Sequence, residues 1–368
     1  MKLNRIIIAG GGTGGHIFPA IAVARALQQM IPAIHILFVG AKGKMEMEKI
    51  PEAGYKIKGI DIAGFNRSHL IKNWKLPFQL LKSFIQVRSI FKQFKPDAVF
   101  GVGGYSSFPV VRYAQQKNIP SFLHEANSFA GKSNLMLSRK AKLVMAGTHG
   151  MEKYFPSSTL VYTGNPVRRE IVESTVLRDE AFEFFGLKPN KPTVLVIGGS
   201  LGARSINAAF NQDLNKLLER GIQVIWQTGK GNLASVSEEF KRRKDICVTE
   251  FITKMNYAYK AADVVVSRAG AIALAEIGVC GKPSVLVPFP LAAEDHQTVN
   301  AQMFVNAGAA FMVADNDAEK KLVDTVIELI VDEDKCKLFA EEAAKLGTKN
   351  ADLSIAELMI KKMSEINA

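Results

Sequence analysis

Short, uninterrupted apolar runs recur along the chain, with helical-period segments between them. Runs near Arg5–Ala9, Ile34–Val39, Ala98–Val102, Ser121–His124 and Leu143–Ala146 predict strands in the first half. Runs near Thr193–Ile197, Gln223–Gln227, Ile246–Thr249, Asp263–Ser267 and Ser284–Val287 predict strands in the second. Ile17–Gln29, Ala203–Leu218 and Glu319–Val331 read as helices. The strands lack the in–out alternation of a half-exposed sheet, so both faces should be covered by helices, as in a parallel sheet. The pattern predicts an α/β chain of two Rossmann-like, doubly wound parallel-sheet domains. A boundary falls near Thr163–Pro166, after strand-like Leu160–Tyr162, giving domains 1–164 and 165–344. A last helix near Asp352–Ile366, within a segment of about 345–368, follows the second sheet and is expected to pack back on the first domain.

The length of 368 residues fits two domains. Cys247, Cys280 and Cys336 have neither disulfide-scaffold nor zinc-site spacing, and a reducing compartment is the natural reading. The apolar run at the N-terminus is too short for a signal peptide. No stretch reaches the ~18 apolar residues of a spanning helix, so a soluble or peripheral protein is expected.

Charge changes the picture. Met1–Asn165 carries 22 Lys+Arg against 7 Asp+Glu, a net +15, while the rest carries 25 against 28, a net −3. A basic half implies an anionic partner. Between Asp61 and Asp97 stand Arg67, Lys72, Lys75, Lys82, Arg88, Lys92 and Lys95 and no acid, interleaved with Trp74, Phe78 and Phe84 among other apolar residues. Two readings stand: a core helix over about Trp74–Phe94 with a solvated basic face, or an interfacial segment on anionic lipid, with Lys72, Trp74, Lys75, Phe78 and Lys82 as its patch. No nucleic-acid-binding motif is present.

Three glycine-rich turns each follow a strand and lead into a helix. The first is Gly10-Gly11-Gly12-Thr13-Gly14-Gly15-His16. Such a turn lets backbone N–H groups approach an anion while the helix N-terminus adds its dipole. Gly10, Gly12 and Gly15 satisfy G-x-G-x-x-G, but the second strand ends Phe38-Val39-Gly40 without the ribose-binding acid of NAD proteins. Phosphate or pyrophosphate remains; NAD does not. The second turn is Gly101–Ser107, with Gly103, Gly104 and Tyr105; the third is Gly198–Arg204, with Ser200. Gly131-Lys132-Ser133 and Gly229-Lys230 lack the upstream glycine of a P-loop. Two phosphorylated ligands facing each other across a cleft is the simplest reading.

His16, at a helix N-terminus, should be neutral and able to accept a proton; the alternative is a capping histidine. His124, Glu125 and Asn127 are expected to line the site at a strand's C-terminal end. Arg268-Ala269-Gly270-Ala271 leads to Glu276, which reads as a ligand for both ribose hydroxyls or as a surface glutamate. Asp295 in Glu294-Asp295-His296-Gln297 reads as an N-cap. Asp315/Asp317 and Asp332/Asp334 read as caps and charged faces rather than a Mg²⁺ site.

Taken in order, Gly11–His16, Gly103-Gly104-Tyr105, His124-Glu125-x-Asn127, Gly164–Arg168, Gly198-Gly199-Ser200-x-Gly202-Ala203-Arg204, Glu250-Phe251-Ile252, Ser267-Arg268-x-Gly270-Ala271 and Val287-Pro288-Phe289 form a set. Over nearly the whole chain this set closely resembles the MurG family of N-acetylglucosaminyltransferases, which convert lipid I to lipid II in bacterial peptidoglycan synthesis. Ala126, Leu201 and Pro290–Ala293 depart from the family's pattern. The resemblance implies a GT-B fold without an obligatory metal or cofactor. It implies UDP-N-acetylglucosamine as donor, undecaprenyl-pyrophosphoryl-muramoyl-pentapeptide as acceptor, and a peripheral place on the cytoplasmic face of the cell membrane. For the donor it implies Thr13, Gly14, Gly15, Asn127, Arg168 and Ser200, with Ile252 meeting uracil through its backbone. It adds Ala271, Ile272, Ala273, Leu274 and Ala275 leading to Glu276 at the ribose, and Gln297 at sugar hydroxyls. For the acceptor pyrophosphate it implies Gly12, Gly103, Gly104 and Tyr105, and His16 is the expected base. A related UDP-sugar glycolipid synthase and a non-catalytic lipid-surface protein are the alternatives.

Overall fold

The structure, a computed structural model, describes residues 3–64, 74 and 76–366. The chain divides into two compact units, Met1–Val167 with Asn350–Ala368, and Arg168–Lys349.

The first unit carries a seven-stranded sheet in the order β3-β2-β1-β4-β5-β6-β7, with every pairing parallel. Its strands are β1 (Arg5–Ala9), β2 (His35–Ala41), β3 (Lys56–Ile60), β4 (Ala98–Gly101), β5 (Ser121–Glu125), β6 (Leu143–Ala146) and β7 (Leu160–Tyr162). Along β1, Ile6 and Ile8 enter one apolar layer and Ile7 and Ala9 the other, which is why the run shows no polar alternation. Edge strand β3, Lys-Ile-Lys-Gly-Ile, has no counterpart among the predicted strands, because its lysines break the apolar run. The last helix, Ala351–Glu365, belongs to this unit. Its Ile355, Ala356, Met359 and Met363 join the layer formed by Ile17, Val23 and Leu27 of the helix Gly14–Met30.

The second unit carries a six-stranded parallel sheet in the order β10-β9-β8-β11-β12-β13. Its strands are β8 (Thr193–Ile197), β9 (Gln223–Gln227), β10 (Ile246–Thr249), β11 (Val264–Ser267), β12 (Ser284–Leu286) and β13 (Ala310–Met312). The short edge strand β13 is likewise additional to the expected set.

In both sheets the strand order reverses at one point, between β1 and β4 and between β8 and β11. Doubly wound sheets bind ligands outside the carboxyl ends of the strands at such a switch point. The first two glycine turns follow β1 and β4, and the third follows β8; Arg268–Ala271 follows β11. Topology therefore converts scattered motifs into one cluster per unit.

Candidate active site

In the first unit, Gly10 N–H donates to Val39 O (3.3 Å), and the helix Gly14–Met30 starts four residues later. Beneath the turn lies Glu46, fully buried. Its Oε2 accepts Gly12 N–H (2.9 Å) and its Oε1 accepts Ala41 N–H (3.0 Å). This corrects the expectation for Gly12, whose amide faces a carboxylate and is unavailable to an acceptor pyrophosphate. The amides of Thr13, Gly14 and Gly15 make no bond within the described residues. They form the open donor end of a helix, suited to an anion.

The second turn closes on the first. A Cβ on Gly104 would stand 2.6 Å from Gly11 O, and one on Gly103 would stand 2.9 Å from His16 Cε1. Both glycines have left-handed φ, +79° and +93°. The His16 imidazole thus lies against the second turn, half-buried, and the Tyr105 ring covers Gly12. Burial raises the Tyr105 phenol pKa, with the Glu46 charge adding.

His124 and Glu125 do not line an open site as expected; both are buried. His124 Nε2 lies 3.4 Å from Gly164 O, and burial, reinforced by neighbouring His16, pushes its pKa down to about 4. Glu125 organises its own loop, accepting from Gly131 N–H (2.9 Å), Asn134 Nδ2 (2.9 Å) and both the backbone and side-chain amides of Asn127. Burial raises its pKa. Of the three, Asn127 alone is half-exposed.

In the second unit, the turn after β8 is braced by Gln227, which sequence reasoning missed. Its Nε2 donates to Gly199 O (3.1 Å) and its Oε1 accepts Ile252 N–H (2.9 Å). Ser200 is half-buried in that turn, and its carbonyl accepts Lys230 N–H (3.1 Å). Glu276 is not a surface residue, and its carboxylate is already engaged within the unit. It is buried in a bidentate pair with Arg168, Nε to Oε1 at 2.9 Å and Nη2 to Oε2 at 3.2 Å. Fully buried Tyr259, also missed, donates its hydroxyl to Oε2 (3.1 Å). Ala271 and Leu274 have buried side chains, whereas Ile272, Ala273 and Ala275 are half-buried. Ala271, Ile272 and Ala273 offer first-turn amides at the head of the helix Ala271–Val279. Gln297 Oε1 accepts Phe289 N–H (3.0 Å).

Arg268 is a staple, bonding Val287 O, Pro288 O and Ser205 Oγ and pairing with Asp315. Asp317 pairs with Lys321, and Asp332 caps the helix Glu333–Leu346 through Lys335 N–H. Asp295 holds the N-cap position of the helix His296–Asn306, its Oδ1 accepting from the Thr298 hydroxyl (2.7 Å) rather than from a backbone N–H. Among the described residues no cluster of three His, Cys, Asp or Glu could hold a metal.

Residues 6–146 match the glycosyltransferase family 28 N-terminal domain, and residues 193–359 match its C-terminal domain. The relative from Parabacteroides distasonis is 46% identical over 98% of this chain and 99% of its own. The Bacteroides thetaiotaomicron relative is 45% identical over 98% of each. Both are UDP-N-acetylglucosamine–N-acetylmuramyl-(pentapeptide) pyrophosphoryl-undecaprenol N-acetylglucosamine transferases. The chain belongs to this transferase family. Among solved structures, MurG of Acinetobacter baumannii superposes with a TM-score of 0.74 at 29% identity, covering 97% of this chain and 99% of that one. Staphylococcus aureus MnaA, solved with UDP, shares the fold at a TM-score of 0.71 and 16% identity, covering 99% and 98%. This family 28 chain is accordingly a UDP-N-acetylglucosamine glycosyltransferase of GT-B fold.

Proposed function

We propose that the second unit binds UDP-N-acetylglucosamine, that the first binds the lipid-linked muramoyl pentapeptide, and that His16 is the base. The reaction is a single inverting displacement. The muramic acid 4-hydroxyl oxygen bonds to the anomeric carbon as the bond from that carbon to the diphosphate oxygen breaks. The hydroxyl proton passes to His16, and UDP departs. First-turn amides of the helices after β8 and β11 stabilise the charge on the leaving diphosphate. Because Ile252 N–H is already given to Gln227, uracil recognition falls to the Ile252 carbonyl. Glu276 Oε1 accepts one bond from Arg168, leaving acceptor capacity for a ribose hydroxyl. The observation that carries the reading is the pair of open helix N-termini at the switch points, in a chain 46% identical to a named transferase.

The protein also docks on a membrane surface in this reading, facing the cytoplasm where nucleotide sugars are made. No described helix is long and apolar enough to cross a membrane. On the helix Leu76–Phe94, Val87 and Phe91 are buried in the core, so part of the segment is a core face. Phe78, Leu81 and Ile85 of this helix are nevertheless 63–69% exposed, at a spacing that forms one outward stripe, and Trp74 ahead of the helix is 65% exposed. Lys72 and Lys75 lie outside the described residues. Lys82 is less free than expected: it pairs with Asp61 (3.0 Å), whose carboxyl is held down to about 2 by Lys82, Gln86 and Lys42.

Calorimetric titration tests the donor assignment. UDP and UDP-N-acetylglucosamine should bind and NAD should not; NAD binding with no UDP binding would overturn it.

A further inference from the structure

Glu46 has no role in the reading above, yet it lies fully buried under the turn that carries His16. Burying a carboxylate is unfavourable unless its oxygens are satisfied, and here two amides satisfy them, one in the turn after β1 and one at the end of β2. The backbone is shaped to admit it. A Cβ on Gly11 would stand 2.2 Å from Glu46 Oε1, and one on Gly40 would stand 2.5 Å from its Cγ. Two glycines and two amides are thus committed to seating one side chain.

The consequence reaches the site. With Gly12 N–H turned inward, the next three amides stay open at the head of the helix Gly14–Met30. Thr13 O accepts His16 N–H (3.1 Å) and Ile17 N–H (3.3 Å), so the helix register is set one residue after the clamp. An anion approaching Gly12 would meet the carboxylate, whereas one at Gly14 and Gly15 meets only donors.

We propose that Glu46 is a positioning residue. By holding Gly12 N–H inward it passes the acceptor diphosphate from Gly12 to the Gly14 and Gly15 amides, which the family resemblance had given to the donor, and it keeps His16 against Gly103 and Gly104. The proposal rests on the reading of the first unit as the acceptor site.

The test begins with the wild-type protein, labelled with ¹⁵N-glycine and titrated with inorganic pyrophosphate. The Gly14 and Gly15 amide resonances should shift and that of Gly12 should stay; the largest shift at Gly12, or no shift at Gly14 and Gly15, overturns the proposal. Kinetics follow with two variants. Glu46→Gln sets an amide NH₂ against a backbone N–H, and should raise the acceptor KM at least tenfold and lower kcat, with donor Kd within twofold. Glu46→Asp, which keeps both acceptor oxygens, should recover part of the loss. Gly15→Ala tests the acceptor reading alone, because its methyl would make only ordinary contact, 3.6 Å from Thr13 Oγ1, while screening the amide. A raised acceptor KM in Gly15→Ala but not in Glu46→Gln overturns the role of Glu46. An unchanged KM in both overturns the acceptor reading and the proposal with it. A lower melting temperature in Glu46→Gln with both KM values unchanged makes Glu46 purely structural and also overturns it.

Discussion

Arg168 and Glu276, 108 residues apart in sequence, meet in a bidentate ion pair whose side chains are only 17% and 7% exposed. The first residue of the second unit is thereby tied to the helix that follows β11. Tyr259 completes the contact from beneath.

Removing one partner of such a pair strands the other. Glu276→Gln should cost about 3–5 kcal/mol of stability and also weaken UDP binding. Arg168→Met with Glu276→Leu should recover most of the melting temperature and none of the donor affinity. Wild-type affinity for UDP-N-acetylglucosamine in the folded double variant would remove the carboxylate from the donor site.

His16→Ala should lower kcat by about 10²–10⁴-fold, the range for a positioned base, with donor Kd nearly unchanged. A variant that keeps more than about a tenth of wild-type turnover would reduce His16 to a structural member of the turn.

His124 gives a pH signature. Its folded pKa of about 4 lies below the ordinary 6.5, so between those values the unfolded chain takes up a proton that the native protein refuses. The stability is fully present above pH 6.5 and is lost as pH falls toward 4, a difference of about 3 kcal/mol. Glu125, shifted upward by burial, works in the opposite sense. The comparison is therefore wild type against His124→Gln, followed by denaturant unfolding from pH 7 to 4. The variant should lose less stability on acidification; parallel curves would contradict the shift.

The outward stripe predicts a separation of membrane binding from chemistry. Phe78→Ser, Leu81→Ser and Ile85→Ser together should leave the melting temperature within about 1 °C, because none is in the core. Co-sedimentation with anionic vesicles should fall at least about tenfold, since each inserted side chain contributes of order 1 kcal/mol. Turnover of a short-chain, water-soluble acceptor should persist. Equal sedimentation would make the stripe an ordinary solvated surface.

The interior of the fold was legible because parallel strands buried on both faces are continuous apolar runs. Arg5–Ala9, Leu143–Ala146, Thr193–Ile197 and Gln223–Gln227 coincide with strands residue for residue; Ile246–Thr249, at the edge of its sheet, does so as well because its own short run is unbroken. Of the four edge strands, β3 and β13 escaped: lysines interrupt the apolar run of β3, and β13 is only three residues long. The glycine turns were legible because their requirement is local. Glu46, Gln227 and Tyr259 were not, because each acquires its partner only when the sheet brings distant segments together: Glu46 meets Gly12 across 34 residues and Gln227 meets Ile252 across 25. The same holds for Lys82, whose partner Asp61 precedes it by 21 residues.

The central claim is transfer from a nucleotide sugar to a lipid-linked acceptor. The most direct measurement incubates the purified protein with radiolabelled UDP-N-acetylglucosamine, with and without the undecaprenyl-pyrophosphoryl-muramoyl-pentapeptide. UDP and the labelled β-1,4-linked disaccharide lipid should appear in equal amounts, and only when the acceptor is present. UDP release that does not depend on the acceptor, or acceptor left unglycosylated by folded, donor-binding protein, would contradict the account.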